Sequence, residues 1–119
     1  MLKHGYLISD IHVCPSHYEP FGLVAAEAMA AGRAVVVSAT GGLRDIVGKP
    51  SVGCVFSPGD VDGLAASLSK LAHDAALRKR LGRNAAQHVR EHFAWPKIAE
   101  LAATCYEEAI KSHRKAGAA

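Results

Sequence analysis

Ala34-Val35-Val36-Val37 most limits what this chain can become: four apolar residues in a row, three of them β-branched, with no polar side chain to turn toward water. A half-exposed strand alternates apolar and polar residues, whereas a strand covered on both faces reads as an unbroken apolar run. Strands of that kind belong to parallel sheets with helices packed on either side. Two further β-prone runs, Ile11 to Cys14 and Gly53 to Phe56, lack strict alternation too. Pro15-Ser16 closes one and Ser57-Pro58-Gly59 the other, as Ser38 and the Gly41-Gly42 pair close the central run.

Helical segments separate these strands. Leu23 to Ala31 is rich in Ala, Leu, Glu and Met and stops at Gly32, and Leu43 to Val47 suits a short helix. Strand, helix, strand, helix, strand in that order gives two crossovers and an α/β layer structure around a three-stranded parallel sheet. The rest reads as helix. Asp60 and Asp74 are placed to cap two helices, the first with Val61, Leu64, Leu68 and Leu71 on one face and the second with Leu77, Leu81, Ala85 and Val89. Pro96 suits the first turn of a last helix, whose apolar side carries Ile98, Leu101, Cys105, Tyr106 and Ile110. Residues 1–111 form one domain with no repeat or linker, and 112–119 are expected to fray.

Several classes of function drop out on composition. The net charge of +3 is distributed among interleaved carboxylates, so no basic stripe exists to hold nucleic acid. Cys14, Cys54 and Cys105 are odd in number and show no paired metal-site spacing; they read as small buried apolar residues in a reducing compartment. Glu27, Gly32 and Arg33 break the apolar stretch from Leu23 to Val37 too early for a membrane span. The opening residues, MLKHGYLISD, lack a signal-peptide core, which gives the expectation of a cytoplasmic protein.

The chemistry concentrates in residues 15–27, which run from the end of a strand through a turn into a helix. Ligands of open α/β sheets bind at such junctions. A Pro-Phe-Gly turn at 20–22 leaves helix-start amides free, and with the positive end of the helix dipole they favour an anion such as a diphosphate. Glu19 precedes the helix and Glu27 lies eight positions on, so they would touch different parts of one ligand. Each carboxylate can accept hydrogen bonds from vicinal hydroxyls, as on a sugar at either side of a diphosphate. The same residues also admit a plainer interpretation, with Glu27 a solvated helix residue and Glu19 a loop charge.

The stretch PSHYEPFGLVAAEAMAAGRAVVVSATGGLRDIV resembles the signature of the retaining nucleotide-sugar glycosyltransferases with two Rossmann-like domains, the GT-B type of group 1. Similarity extends over residues 8–110. The pattern is specific: two glutamates with seven residues between them, then small residues, a Val-Val pair and Gly-Gly-Leu. The resemblance implies that this chain is the second half of a donor-binding domain. It also implies transfer of a hexose from a nucleoside diphosphate to an acceptor hydroxyl with retention, without a metal or other cofactor. By resemblance, Glu19 contacts the donor sugar and is the catalytic candidate, while Glu27 holds the ribose. The main chain at Phe21, Gly22 and Leu23 touches sugar and diphosphate, and His17 lines the same site.

Relative to that family, the acceptor domain and the first half of the donor domain are missing, with the Arg and Lys that grip the diphosphate. Nothing here replaces those residues directly; Arg33, Arg44 and Lys49 are candidates only by their proximity in sequence, with a surface role as the alternative. Two partners are therefore expected besides a nucleotide sugar: a separate remainder of the enzyme, or a second copy of the chain across the open edge at Ile11 to Cys14. The cluster Arg78-Lys79-Arg80-Arg83 reads as a solvated helix face, with contact to anionic lipid headgroups the alternative that the resemblance allows. His88 and His92 lie four apart, as metal ligands can, without a third ligand beside them. The competing functions are a scaffold that only self-associates and a nucleotide-sugar epimerase of similar fold.

Overall fold

The computed structural model describes residues 2–118. In chain order the elements are α1 (Leu2–Ile8), β1 (Ile11–Cys14), α2 (Leu23–Ala30), β2 (Ala34–Ser38), α3 (Gly41–Val47), β3 (Cys54–Phe56), α4 (Val61–His73), α5 (Ala75–His92) and α6 (Trp95–Gly117). Three strands form one parallel sheet in the order β1-β2-β3, with Cys14 opposite Val37 and Ser38 opposite Phe56. The apolar run takes the centre, and every residue of β2 is buried.

Alternation along β2 divides the core. Val35 and Val37 pack with Met29, Leu43, Ile46 and Val47 on one side, while Ala34 and Val36 meet Phe56, Leu71, Leu77 and Leu81 on the other. Helix α5 contributes to both clusters, since its Ala85 and Val89 join the first. Burial of this order contributes about 1.5–3 kcal/mol for each large side chain, and it makes the layered sheet the stable arrangement. Asp60 caps α4 by accepting the Gly63 amide at 2.9 Å, and Asp74 caps α5 through the Leu77 amide at 2.8 Å. Each cap is worth about 1 kcal/mol.

Four differences from the expectations have physical causes. Helix α1 is new: its sequence has little propensity, with Gly5 in the middle, but burial of Tyr6 against the sheet fixes it. Helix α3 starts at Gly41 instead of Leu43, because Thr40 is extended and leaves the glycine pair to form the first turn. Helix α6 continues to Gly117 rather than fraying beyond 111; Arg114 and Lys115 in its last turn oppose the negative end of the dipole. Of the three cysteines Cys14 is buried, Cys54 is half-buried and Cys105 is exposed on α6, so the expectation of burial fails for Cys105. None of the described residues of α6 is buried, although it is amphipathic.

Gly82 interrupts α5, where Ala would be favoured by about 1 kcal/mol, and the structure supplies the reason. The helix crosses the α2–β2 turn so closely that a Cβ at Gly82 would collide with the carbonyl of Gly32. We expect Gly82→Ala to lower stability by about 1–3 kcal/mol, read as a shift in the urea midpoint; an unchanged midpoint would contradict this packing.

Burial lowers the pKa of His12 below its ordinary value of 6.5. Its Nε2 is buried without a partner, and its ring meets Tyr6 edge-on at 5.3 Å. The unfolded chain then takes the proton more readily than the native one. The stability linked to His12 is complete above the unfolded value and is lost as the pH falls toward the depressed native value. Urea midpoints of the wild type should drop between about pH 7.5 and about pH 5.5, and His12→Phe should flatten that drop. Parallel curves for the two proteins would remove the assignment.

Candidate functional site

The turn from β1 to α2 is held open by glycine. Gly22 adopts φ 73° and ψ 29°, left-handed values that a side chain disfavours, and a Cβ there would press on Ile46 and Leu43. Its amide donates to Oε1 of Glu19 at 3.1 Å. Glu19 therefore shapes the turn itself, and its second oxygen has no partner among the described residues. Intrahelical bonding begins with the Ala26 amide on the Gly22 carbonyl at 3.1 Å. The amides of Leu23, Val24 and Ala25 precede that bond and find no partner among the described residues. Donors and dipole are thus aimed past Gly22, where an anion is favoured by about 0.3–1 kcal/mol at an exposed terminus.

A second turn, from β2 to α3, braces the first. Ser38 is wholly buried, and its Oγ donates to the carbonyl of Ser16 at 2.6 Å and lies 3.3 Å from that of Cys14. Thr40 Oγ1 reaches the same Ser16 carbonyl at 3.3 Å. The Gly42 amide donates to the carbonyl of Glu19 at 3.1 Å, and no Cβ would fit at Gly42 against Phe21. The segment carrying Glu19 is thereby tied to the end of the central strand.

Glu27 emerges farther along α2, five residues beyond Gly22 and about 7–8 Å along the axis. Its carboxylate is exposed, and Oε2 accepts the hydroxyl of Tyr6 at 3.0 Å. Burial raises the Tyr6 pKa, with a further push from the hydrogen bond and charge of Glu27, so the phenol stays a donor. Phe21, Leu23 and Glu27 line a single hollow of about 640 Å³, closed by Asp45 and Ile46 of α3, Val89 and Phe93, and Trp95 and Ile98 of α6. His17 opens instead on a separate hollow of about 170 Å³ with Phe56, Asp60 and Leu64. The structure thus brings Phe21, Leu23 and Glu27 together around α2, with Glu19 at the start of the helix, and sets His17 apart.

Against this geometry, the description "Glycosyl transferases group 1" matches residues 1–88. The chain belongs to that family. It is 40% identical over 119 residues to glycogen synthase of Mycobacterium tuberculosis, covering 96% of this chain and 29% of the relative. Identity to a D-inositol 3-phosphate glycosyltransferase of Streptomyces bingchenggensis is 38%, over 96% of this chain and 25% of that protein. Among solved structures, sucrose-phosphate synthase of Thermosynechococcus elongatus superposes with a TM-score of 0.81 at 37% identity, over 91% of this chain and 27% of that one. The chain therefore spans less than a third of each of these relatives, and its fold matches part of the GT-B architecture of group 1 glycosyltransferases.

The basic residues suggested as diphosphate ligands are used elsewhere in this group 1 domain. Arg33 bridges the carbonyls of Ala31 and Ser9, both at 3.2 Å. Arg44 and Lys49 line a different hollow, of about 540 Å³, with Lys70 beside β3. Arg44 and Lys70 lie in the last turns of α3 and α4, where cations complement the carbonyl ends of helices. Arg78 donates to the carbonyls of Leu71 and Ala72, so one member of the proposed lipid-binding cluster closes the end of α4. His88 bonds the carbonyl of Ile46 at 3.0 Å, which joins α5 to α3, and its ring packs at a tilt against those of His92 and Phe93. Sequence reasoning missed Tyr6, Ser38, Asp45 and Trp95 around the site. Ser38 could have been found from its place, a lone hydroxyl ending an apolar run.

Replacing Ser38 by Ala would leave the Ser16 carbonyl without its close donor, at about 1–3 kcal/mol of stability. Amide exchange over residues 15–22 should quicken while that of α5 stays the same. Equal exchange in the two proteins would show that the clasp is not what holds the turn.

Proposed function

We propose that this chain supplies the donor side of a hexosyltransferase and binds a nucleoside diphosphate sugar across the start of α2. The observation carrying this reading is the unpartnered amide trio of Leu23 to Ala25, with one glutamate on either side of it along the chain. In it the diphosphate sits at the helix terminus, Glu27 accepts the ribose hydroxyls, and Glu19 meets the hexose with its free oxygen. Phe21, Gly22 and Leu23 supply main-chain and apolar contacts. His17 is a more remote contact to the donor, since it faces another hollow.

Transfer breaks the bond between the anomeric carbon and the diphosphate oxygen and makes one to an acceptor hydroxyl, whose proton leaves with the diphosphate. Retention at the anomeric carbon and metal-free chemistry rest on the resemblance. Positioning and neutralisation of the leaving charge are the work asked of this chain. The acceptor lobe is assigned to a larger protein, because the relatives are several times longer. The named relatives are synthases and transferases, which favours transfer over epimerisation. Three unpaired cysteines suit a cytoplasmic setting.

A second reading, association without catalysis, is favoured by the open edge of β1 and by the exposed apolar face of α6, with Trp95 81% and Tyr106 72% accessible. Lys79, Arg80 and Arg83 remain exposed for contact with an anionic membrane surface.

Calorimetric titration with ADP-glucose, UDP-glucose and GDP-mannose separates the two readings. The donor reading expects binding of at least one, weakened about tenfold or more by Glu27→Ala. Identical heats from wild type and variant would remove the ribose contact and leave association as the better account.

A further inference from the structure

Glu27 stands on an exposed helix face, and an exposed glutamate samples many rotamers unless something holds it. Here the holder is specific. Tyr6 is 7% accessible, comes from a different helix, and places its hydroxyl 3.0 Å from Oε2 of Glu27, 21 residues away in sequence. The ring is itself fixed. His12 of β1 packs against it edge-on at 5.3 Å, and Tyr6 belongs to the same buried cluster as Met29 and Val35.

The helix bearing it is stapled as well. Ser9 Oγ donates to the Tyr6 carbonyl at 3.1 Å, and Arg33 Nη1 donates to the Ser9 carbonyl at 3.2 Å while its Nε holds that of Ala31. Arg33 and Ala31 lie in the turn that ends α2, so α1 and α2 are locked to each other just below Glu27. A buried phenol with a rigid ring has two torsions to fix, and both are set by packing before any ligand arrives.

We infer that Tyr6 is a positioning residue: its hydroxyl pins one oxygen of Glu27 and turns the other toward the hydroxyls of a bound ribose. This rests on the reading of Glu27 as the ribose contact. One oxygen is spent on the protein and one is left for the ligand, so the carboxylate meets the sugar already oriented, and less side-chain entropy is lost on binding. Helix α1, which has no contact with a diphosphate in this arrangement, thereby acts on the donor through Glu27. Tyr6→Phe removes only the oxygen and keeps the ring that His12 and the core require.

The experiment is a double-mutant cycle by calorimetry on the 119-residue protein, using whichever of ADP-glucose, UDP-glucose and GDP-mannose the wild type binds best. Tyr6→Phe should weaken binding about three- to tenfold, and the same change should have no effect once Glu27 is Ala. That loss of effect separates positioning from general damage, since a merely structural role would weaken binding in both backgrounds. Weakening by Glu27→Ala with none by Tyr6→Phe would overturn this inference and leave the donor reading standing. A wild type indistinguishable from Glu27→Ala would overturn the donor reading and this inference with it. A ligand-free check uses the carbon resonance of the Tyr6 ring: the phenol should ionise at lower pH in Glu27→Gln, and an unmoved titration would refute the hydrogen bond.

Discussion

The arrangement hangs on the hydroxyl of Ser38. Central strand β2 is buried from end to end, and at its last position a polar side chain reaches sideways to the carbonyls that follow β1. In a dry environment such a group must be bonded, and the bonds available to it are those that tie two strand-to-helix turns together. Sheet and site are thus joined by one group. Gly42 repeats the link one turn farther on by donating to the Glu19 carbonyl, and Gly22 answers it on the Glu19 carboxylate. A turn held from three directions can leave helix amides unpaired without collapsing onto them.

From this clasp the two glutamates acquire different characters. Glu19 is a half-buried part of the turn, with one oxygen committed to the Gly22 amide. Glu27 is a side chain on a helix surface, steadied from the outside by a phenol. Each carboxylate has one oxygen committed to a hydrogen bond within the protein, so each holds its direction at the expense of one acceptor. The hollow between α2, α3 and the start of α6 is mainly apolar.

Much of this could be read from residues alone, for physical reasons that differ from part to part. The parallel sheet followed from Ala34 to Val37, since an apolar run without alternation has few other uses, and Asp60 and Asp74 marked helix starts because caps act within three residues. Helix α1 escaped notice because its stability comes from Tyr6 packing on a strand and not from its own sequence. Gly82 is disfavoured in the middle of a helix, and its reason lies in a carbonyl fifty residues earlier. The glutamate spacing singled out residues 15–27, but the separation of His17 from Glu27 depends on how loops turn, which local pattern does not encode. Arg33, Arg44 and Lys49 were near the site in sequence, and each is drawn off by carbonyls or by another hollow.

The claim beneath all of this is that the first turn of α2 receives the pyrophosphate of a nucleotide sugar. Backbone amide shifts recorded while a nucleoside diphosphate is added, at about 0.15 M salt to suppress weak surface attraction, test it most directly. The account predicts that Leu23, Val24 and Ala25 move most, with Gly22 and Glu27 next, and that the segment from Gly48 to Cys54 beside Lys70 stays still. Shifts confined to that basic hollow, or absent from the start of α2, would contradict it.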